Sequence, residues 1–111
     1  MPVLQQILSQ KIVAVVRLND YTRAVDVAQA LLAGGVNVLE FTLTGPGALD
    51  AIRATRLALG DKVCVGVGTV LKPEEAAAAI AAGAQFVVTP VLRRQVIETC
   101  LKHQTLILPA K

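Results

Sequence analysis

Five short runs in this chain are almost wholly apolar, and polar, alanine-rich stretches separate them. The runs are residues 12–16 (IVAVV), 36–41 (VNVLEF), 63–67 (VCVGV), 86–89 (FVVT) and 105–108 (TLIL). Their starts are 24, 27, 23 and 19 residues apart, each about one strand–helix unit. Runs of four to six apolar residues that do not alternate with polar ones describe strands covered on both faces, as in parallel sheets. The stretches between them predict helices. Residues 21–33 are rich in Ala, Val and Leu and meet a stop at Gly34-Gly35. Pro46 stands in the first turn of a helix over 48–59 that ends at Gly60. Pro73 opens the next, with Glu74 and Glu75 where the helix dipole favours acids, and Gly83 closes it. A helix over 92–102 has no glycine stop, only Lys102-His103-Gln104, and a short helix over 3–9 precedes the first strand.

A faint repeat runs through this pattern. Ala33-Gly34-Gly35 leads into Val38-Leu39, and Ala82-Gly83-Ala84 leads into Phe86-Val87, with Gly34 and Gly83 49 residues apart, or two units. Repeated strand–helix units joined by right-handed crossovers give either an open doubly wound sheet or a closed barrel. Five units in 111 residues suit a flavodoxin-like sheet in size. A barrel of eight units takes about 250 residues, so on that reading the chain is one domain, residues 1–111, holding part of an unclosed barrel. Periodicity alone does not separate the two.

Composition narrows the partners. The chain is 54% hydrophobic but only 3% aromatic, so Ala, Val, Leu and Ile must build the core. The net charge of +3 is mild and the basic residues are scattered, which speaks against nucleic acid. No apolar run approaches the 18 residues of a membrane span. The segment MPVLQQILSQK has neither a basic start nor a long apolar stretch, so no signal peptide is expected, and the expected location is cytoplasmic. Cys64 and Cys100 lack metal or redox spacing and read as reduced, buried thiols.

In both architectures ligands bind at the carboxyl ends of the strands. Glu40 is the sharpest candidate there, an acid inside an apolar run. Alternation puts it on one face with Val36, Val38 and Thr42, opposite Leu39, Phe41 and Leu43. Burial without a partner would raise its pKa toward the range useful for proton transfer. The alternative is a strand-end glutamate that is solvated or paired with Arg17. Arg17 lies on the face of Val13 and Val15, where it would grip a carboxylate or phosphate with two hydrogen bonds, or simply pair with Glu40 or Asp20. Gly66-Val67-Gly68-Thr69 either lets a ligand approach the backbone or makes a tight turn; with Lys72-Pro73 following, it is not a P-loop. His103 reads as a surface residue.

At these same residues the chain resembles the 2-keto-3-deoxy-6-phosphogluconate aldolase family. The resemblance rests on four blocks: Lys11 to Arg17 (KIVAVVR), Ala33 to Thr42 (AGGVNVLEFT), Gly66 to Leu71 (GVGTVL) and Ala82 to Pro90 (AGAQFVVTP). It implies a (β/α)8 barrel and a class I aldolase that cleaves its substrate to pyruvate and glyceraldehyde 3-phosphate through a lysine Schiff base, with no cofactor and no metal. By the same resemblance Glu40 moves protons through a bound water, Thr69 helps hold the pyruvyl carboxylate and Pro90 lines the pyruvyl pocket. The partners implied are a small keto-acid phosphate and further copies of the chain, the family being commonly trimeric.

Some positions depart from the family. Thr44 stands where many members carry an arginine for the carboxylate, and Arg17 is placed to supply that charge instead. Val91 and Ala110 replace glycines after Pro90 and Pro109. The resemblance puts the Schiff-base lysine on a sixth strand and the phosphate-binding groups on the seventh and eighth. The sequence runs only to Lys111, which matches no catalytic position, so the expectation is a chain without its own imine-forming amine. A non-enzymatic half-barrel or interaction module is the second reading, and the open phosphate-binding sheet the third.

Overall fold

The structure is a computed structural model describing residues 3–10, 12–43, 47–91 and 93–109. Five strands form one sheet: β1 (Ala14–Val16), β2 (Val38–Thr42), β3 (Cys64–Gly68), β4 (Phe86–Thr89) and β5 (Leu106–Pro109). Five helices accompany them: α1 (Val3–Gln10), α2 (Ala24–Ala33), α3 (Ala48–Leu59), α4 (Pro73–Ala82) and α5 (Arg94–Lys102). Every pairing is parallel, and the spatial order is β1-β2-β3-β4-β5. A flavodoxin-like sheet has the order 2-1-3-4-5 and carries helices on both faces of a doubly wound sheet. Strictly sequential order instead belongs to a sheet wound in one direction, as in a barrel wall. The open flavodoxin-like reading is therefore wrong, and the sheet is an open stretch of five barrel-type strands.

The two faces of the sheet bury different partners. Leu39, Phe41, Val65, Val67 and Val87 point to one side, where Ala28, Ile52, Ala76, Ala79 and Val96 of α2 to α5 cover them. Alanine at so many helix contacts lets the helices lie close against the strands, which is how a core with few aromatics fills itself. Val38, Cys64 and Phe86 point to the other side, and α1 packs there through Val3 and Ile7. Alternation along β2 thus divides the residues as the sequence predicts, with Glu40 and Thr42 on the α1 side of the sheet.

Element boundaries shift where local contacts intervene. The first strand begins at Ala14 rather than Ile12, which is 59% exposed. The helix expected over 21–33 starts with a 3-10 turn, Tyr21–Arg23, capped by the Asp20 carboxylate accepting from Thr22 N (3.0 Å). The helix expected from 92 begins at Arg94, after an extended Arg93; Leu92, like Gly45 and Pro46, lies outside the described residues. Gly83 ends α4 at φ +116°, whereas Gln104 turns the chain after α5 at φ +55° without the freedom of glycine.

Tyr21, the single tyrosine, explains the early 3-10 turn. Its buried hydroxyl lies 2.8 Å from the Thr42 carbonyl and 3.1 Å from that of Val16, donating its one proton between them. Its ring meets Phe41 edge-on, centroids 5.7 Å apart. Tyr21 therefore ties together the carboxyl ends of β1 and β2. Tyr21→Phe should lower stability by about 1–2 kcal/mol, the scale of a lost buried hydrogen bond that strands a carbonyl. An unchanged urea midpoint would show that the hydroxyl carries no such link.

Candidate active site

The α1 side of the sheet rises, row by row, from an apolar base to a polar rim. Cys64 and Phe86 lie at the base with Val38, and Glu40 and Gly66 pair across the middle in register with Val15. Where the strands end, a cleft of ≈ 230 Å³ opens between Val15, Arg17, Glu40, Thr69, Val88 and Pro90. Four residues singled out in the sequence, Arg17, Glu40, Thr69 and Pro90, thus converge from four consecutive strand ends. Thr44 lies outside the described residues. Two larger grooves, ≈ 410 and ≈ 590 Å³, run between helices on the other side and are rimmed by Asp20, Asp50, Glu74 and Glu75. Among the described residues neither has a cation on its walls, which fits neither to an anionic substrate.

Glu40 is 6% exposed, yet no ion pair among the described residues reaches it. Burial pushes its carboxyl above the ordinary carboxylate range, and the Arg17 charge pulls it back only in part. Of the two readings of Glu40, the solvated or paired glutamate does not describe this geometry. Its carboxyl lies over bare backbone at Gly68, where a Cβ would collide with Oε2 and Cδ. Gly66 is equally bare beneath the ring of Phe86. The two glycines make room for side chains from neighbouring strands, and the chain turns directly after the second, at Thr69. No local signal in the sequence could have told this, because the occupants come from β2 and β4.

Thr69 follows directly, at φ +59°. A β-branched residue in the left-handed region is an outlier, and such strain concentrates where a side chain must be aimed. The Leu43 N–H donates to the Gly68 carbonyl (3.0 Å), which holds the end of β3 against β2 just before the turn. On β4, the buried Thr89 hydroxyl donates to the Val91 carbonyl, closing the turn that carries Pro90. Tyr21 and Thr89 are positioning residues that reading the sequence missed. The first could have been suspected as a lone tyrosine near a strand end; the second had no signal beyond its place beside Pro90.

The remaining candidates stand apart. His103 is exposed beyond α5, its Nδ1 2.9 Å from the Thr99 carbonyl. Cys64 and Cys100 are buried and unbridged; burial pushes the Cys64 thiol up to about 11, opposed in part by Arg56, and raises Cys100 too. Both therefore stay protonated and inert near neutral pH. Among the described residues no group of three or more His, Cys, Asp or Glu is placed to hold a metal ion. Lys111 lies outside the described residues.

A family model, KDPG and KHG aldolase, matches residues 3–110. The chain belongs to this family. A 2-dehydro-3-deoxy-phosphogluconate aldolase of Treponema pallidum is 42% identical over 99 residues, covering 89% of this chain and 47% of that protein. The KDPG aldolase of Legionella pneumophila, solved with pyruvate captured as a covalent carbinolamine intermediate, superposes with a TM-score of 0.81 at 32% identity, over 87% of this chain and 47% of that one. The Zymomonas mobilis aldolase solved with 3-phosphoglycerate gives 0.82 at 34% identity, over 95% and 51%. The chain spans about half the length of the curated relatives it matches. Barrel-type topology and family agree with the expectation drawn from the four sequence blocks.

Proposed function

We propose that this chain forms the pyruvate-holding and proton-transferring part of a class I aldolase site, for retro-aldol cleavage of 2-keto-3-deoxy-6-phosphogluconate to pyruvate and glyceraldehyde 3-phosphate. The observation that carries this reading is the convergence of Arg17, Glu40, Thr69 and Pro90 on one cleft in a member of this family. Each has a task that suits its chemistry. The Arg17 guanidinium and the Thr69 hydroxyl donate hydrogen bonds to the pyruvyl carboxylate. Pro90, Val15 and Val88 give the methyl end an apolar wall. Glu40, shielded but reachable from the cleft, takes and returns the proton as the carbon–carbon bond breaks and the enamine becomes an imine. Among the described residues no lysine lines the cleft. The amine of this reading therefore comes from outside the part described, on the sixth strand that the resemblance implies.

The same reading makes the protein a single partial barrel domain over residues 1–111, cytoplasmic, homo-oligomeric, and without a nucleic-acid or membrane partner. No helix of the described residues is long and apolar enough to cross a membrane.

Two measurements on the chain test the proposal. Titration of the isotope-labelled chain with pyruvate should move the NMR resonances of Arg17, Thr69 and their neighbours; changes confined to other surfaces would sink the site. Incubation with pyruvate and borohydride followed by mass spectrometry should give no covalent adduct. An adduct on Lys111 would mean that the chain carries its own amine.

A further inference from the structure

Among the described residues the carboxyl of Glu40 has no ion pair, yet it is held in one place, and the bare backbone at Gly68 of β3 is what holds it. Glu40 is in register with Gly66, but its side chain leans forward along the strand direction and rests on Gly68. It cannot lie over Gly66, because the Phe86 ring occupies that space. A Cβ at Gly68 would overlap Oε2 and Cδ of Glu40 and come within 3.0 Å of Cγ; these three atoms are its nearest neighbours. Gly68 is not among the residues at positive φ, so alanine would meet no backbone obstacle there. The glycine is thus explained by the carboxyl it accommodates.

We propose that Gly68 is the positioning residue for Glu40: the missing Cβ forms a socket that keeps the carboxyl beside Thr69 at the floor of the cleft and out of an ion pair with Arg17. The functional meaning rests on the proton-transfer role proposed for Glu40, whereas the seating itself does not. Filled by any side chain, the socket would expel the carboxyl toward Arg17 and water. There it would ionise like an ordinary glutamate and neutralise the cation needed for the substrate carboxylate. A glycine on β3 would in this way keep apart an acid on the adjoining β2 and a cation at the end of β1.

A double-mutant cycle with a titration tests the socket. In Gly68→Ala, the Glu40 side-chain carboxyl resonance followed by ¹³C NMR should titrate at lower pH than in the parent chain. The urea midpoint should also fall. In Glu40→Ala, adding Gly68→Ala should lower the midpoint by less than half as much, because the colliding atoms are gone. An unchanged Glu40 titration in Gly68→Ala, or losses that simply add, would overturn the proposal. Should Gly68→Ala fail to fold, the double variant decides: recovery of the fold supports the socket and continued unfolding overturns it. Both measurements are made without substrate, so their failure is distinct from failure of the pyruvate titration, which would sink the proposed pyruvate site and leave the seating of Glu40 untouched.

Discussion

Gly66→Ala is expected to lower stability by about 3 kcal/mol, near the upper end of what a forced methyl costs in a packed core. The added carbon would enter the Phe86 ring, meeting Cε2, Cζ and Cδ2. Relief has to come from moving either the ring or the strand. The ring is fully buried among Val38 and Cys64, with Val3 and Ile7 of α1 packed on the same cluster, so turning it aside displaces the helix. The strand is fixed on both sides by parallel pairing, Gly66 lying opposite Glu40 on β2 and Phe86 on β4. Neither route is cheap. Gly68→Ala should cost less, because its obstacle is the end of a flexible glutamate beside an open cleft. Urea denaturation of the parent and both variants gives the ranking, and Phe86→Leu in the Gly66→Ala background should restore part of the loss by removing ring atoms. A Gly66→Ala midpoint equal to that of the parent would mean that the ring does not rest on this strand.

Glu40→Gln should make the chain more stable at neutral pH and leave it unchanged in acid. The carboxyl's folded-state pKa is raised above its ordinary value of 4.5, by burial first, with Arg17 opposing. Below the unfolded-state pKa the acid is protonated in both states and costs nothing as a charge. As pH rises from there through the folded-state pKa, the unfolded chain releases its proton more readily than the folded one, and stability falls. Above the folded-state pKa the penalty is constant. Each unit of difference between the two states is worth about 1.4 kcal/mol. The gap between variant and parent at pH 7 therefore reads the shift directly, and it should close at pH 3.5. Stability profiles of the two chains that run parallel from pH 3.5 to 7 would mean that Glu40 ionises as freely as in the unfolded chain. The stability that Glu40 forgoes at neutral pH is what a proton-transfer group is expected to give up, since the same burial brings its pKa toward the working pH.

The family connection gives these two positions different consequences. Gly66 concerns the packing that keeps α1 beneath the sheet; Gly68 and Glu40 concern the cleft. The relative from Legionella pneumophila that captured pyruvate as a covalent carbinolamine matches this chain over 87% of its length and is itself covered to 47%. The chain thus corresponds to about half of such an enzyme.

Local physics wrote much of this fold into the sequence. Apolar runs too short for helices and too continuous for half-exposed strands could only be parallel strands. Proline and glycine punctuation placed α3 and α4 to the residue. The period of two along β2 put Glu40 on the face opposite Leu39 and Phe41 and at the end of the sheet where chemistry gathers. The family motifs then linked Arg17, Thr69 and Pro90 to the same chemistry. What the sequence left open was decided by groups far apart in the chain. Sheet order stayed undetermined because a doubly wound sheet and a barrel wall bury the same apolar runs; only the pairing of β2 with β3, where a flavodoxin-like sheet sets β1 beside β3, separates them. Tyr21 reaches across 21 residues to a carbonyl at the end of β2. Gly66 and Gly68 owe their identity to side chains rooted 20 and 28 residues away, Phe86 and Glu40, and a pattern of local hydrophobicity carries no record of such neighbours. The sequence by itself determined which residues are strand, helix and candidate chemistry. Only the tertiary structure decided that the acid would lie buried, clear of every ion pair among the described residues and seated on glycine, because burial and steric fit arise when strands meet.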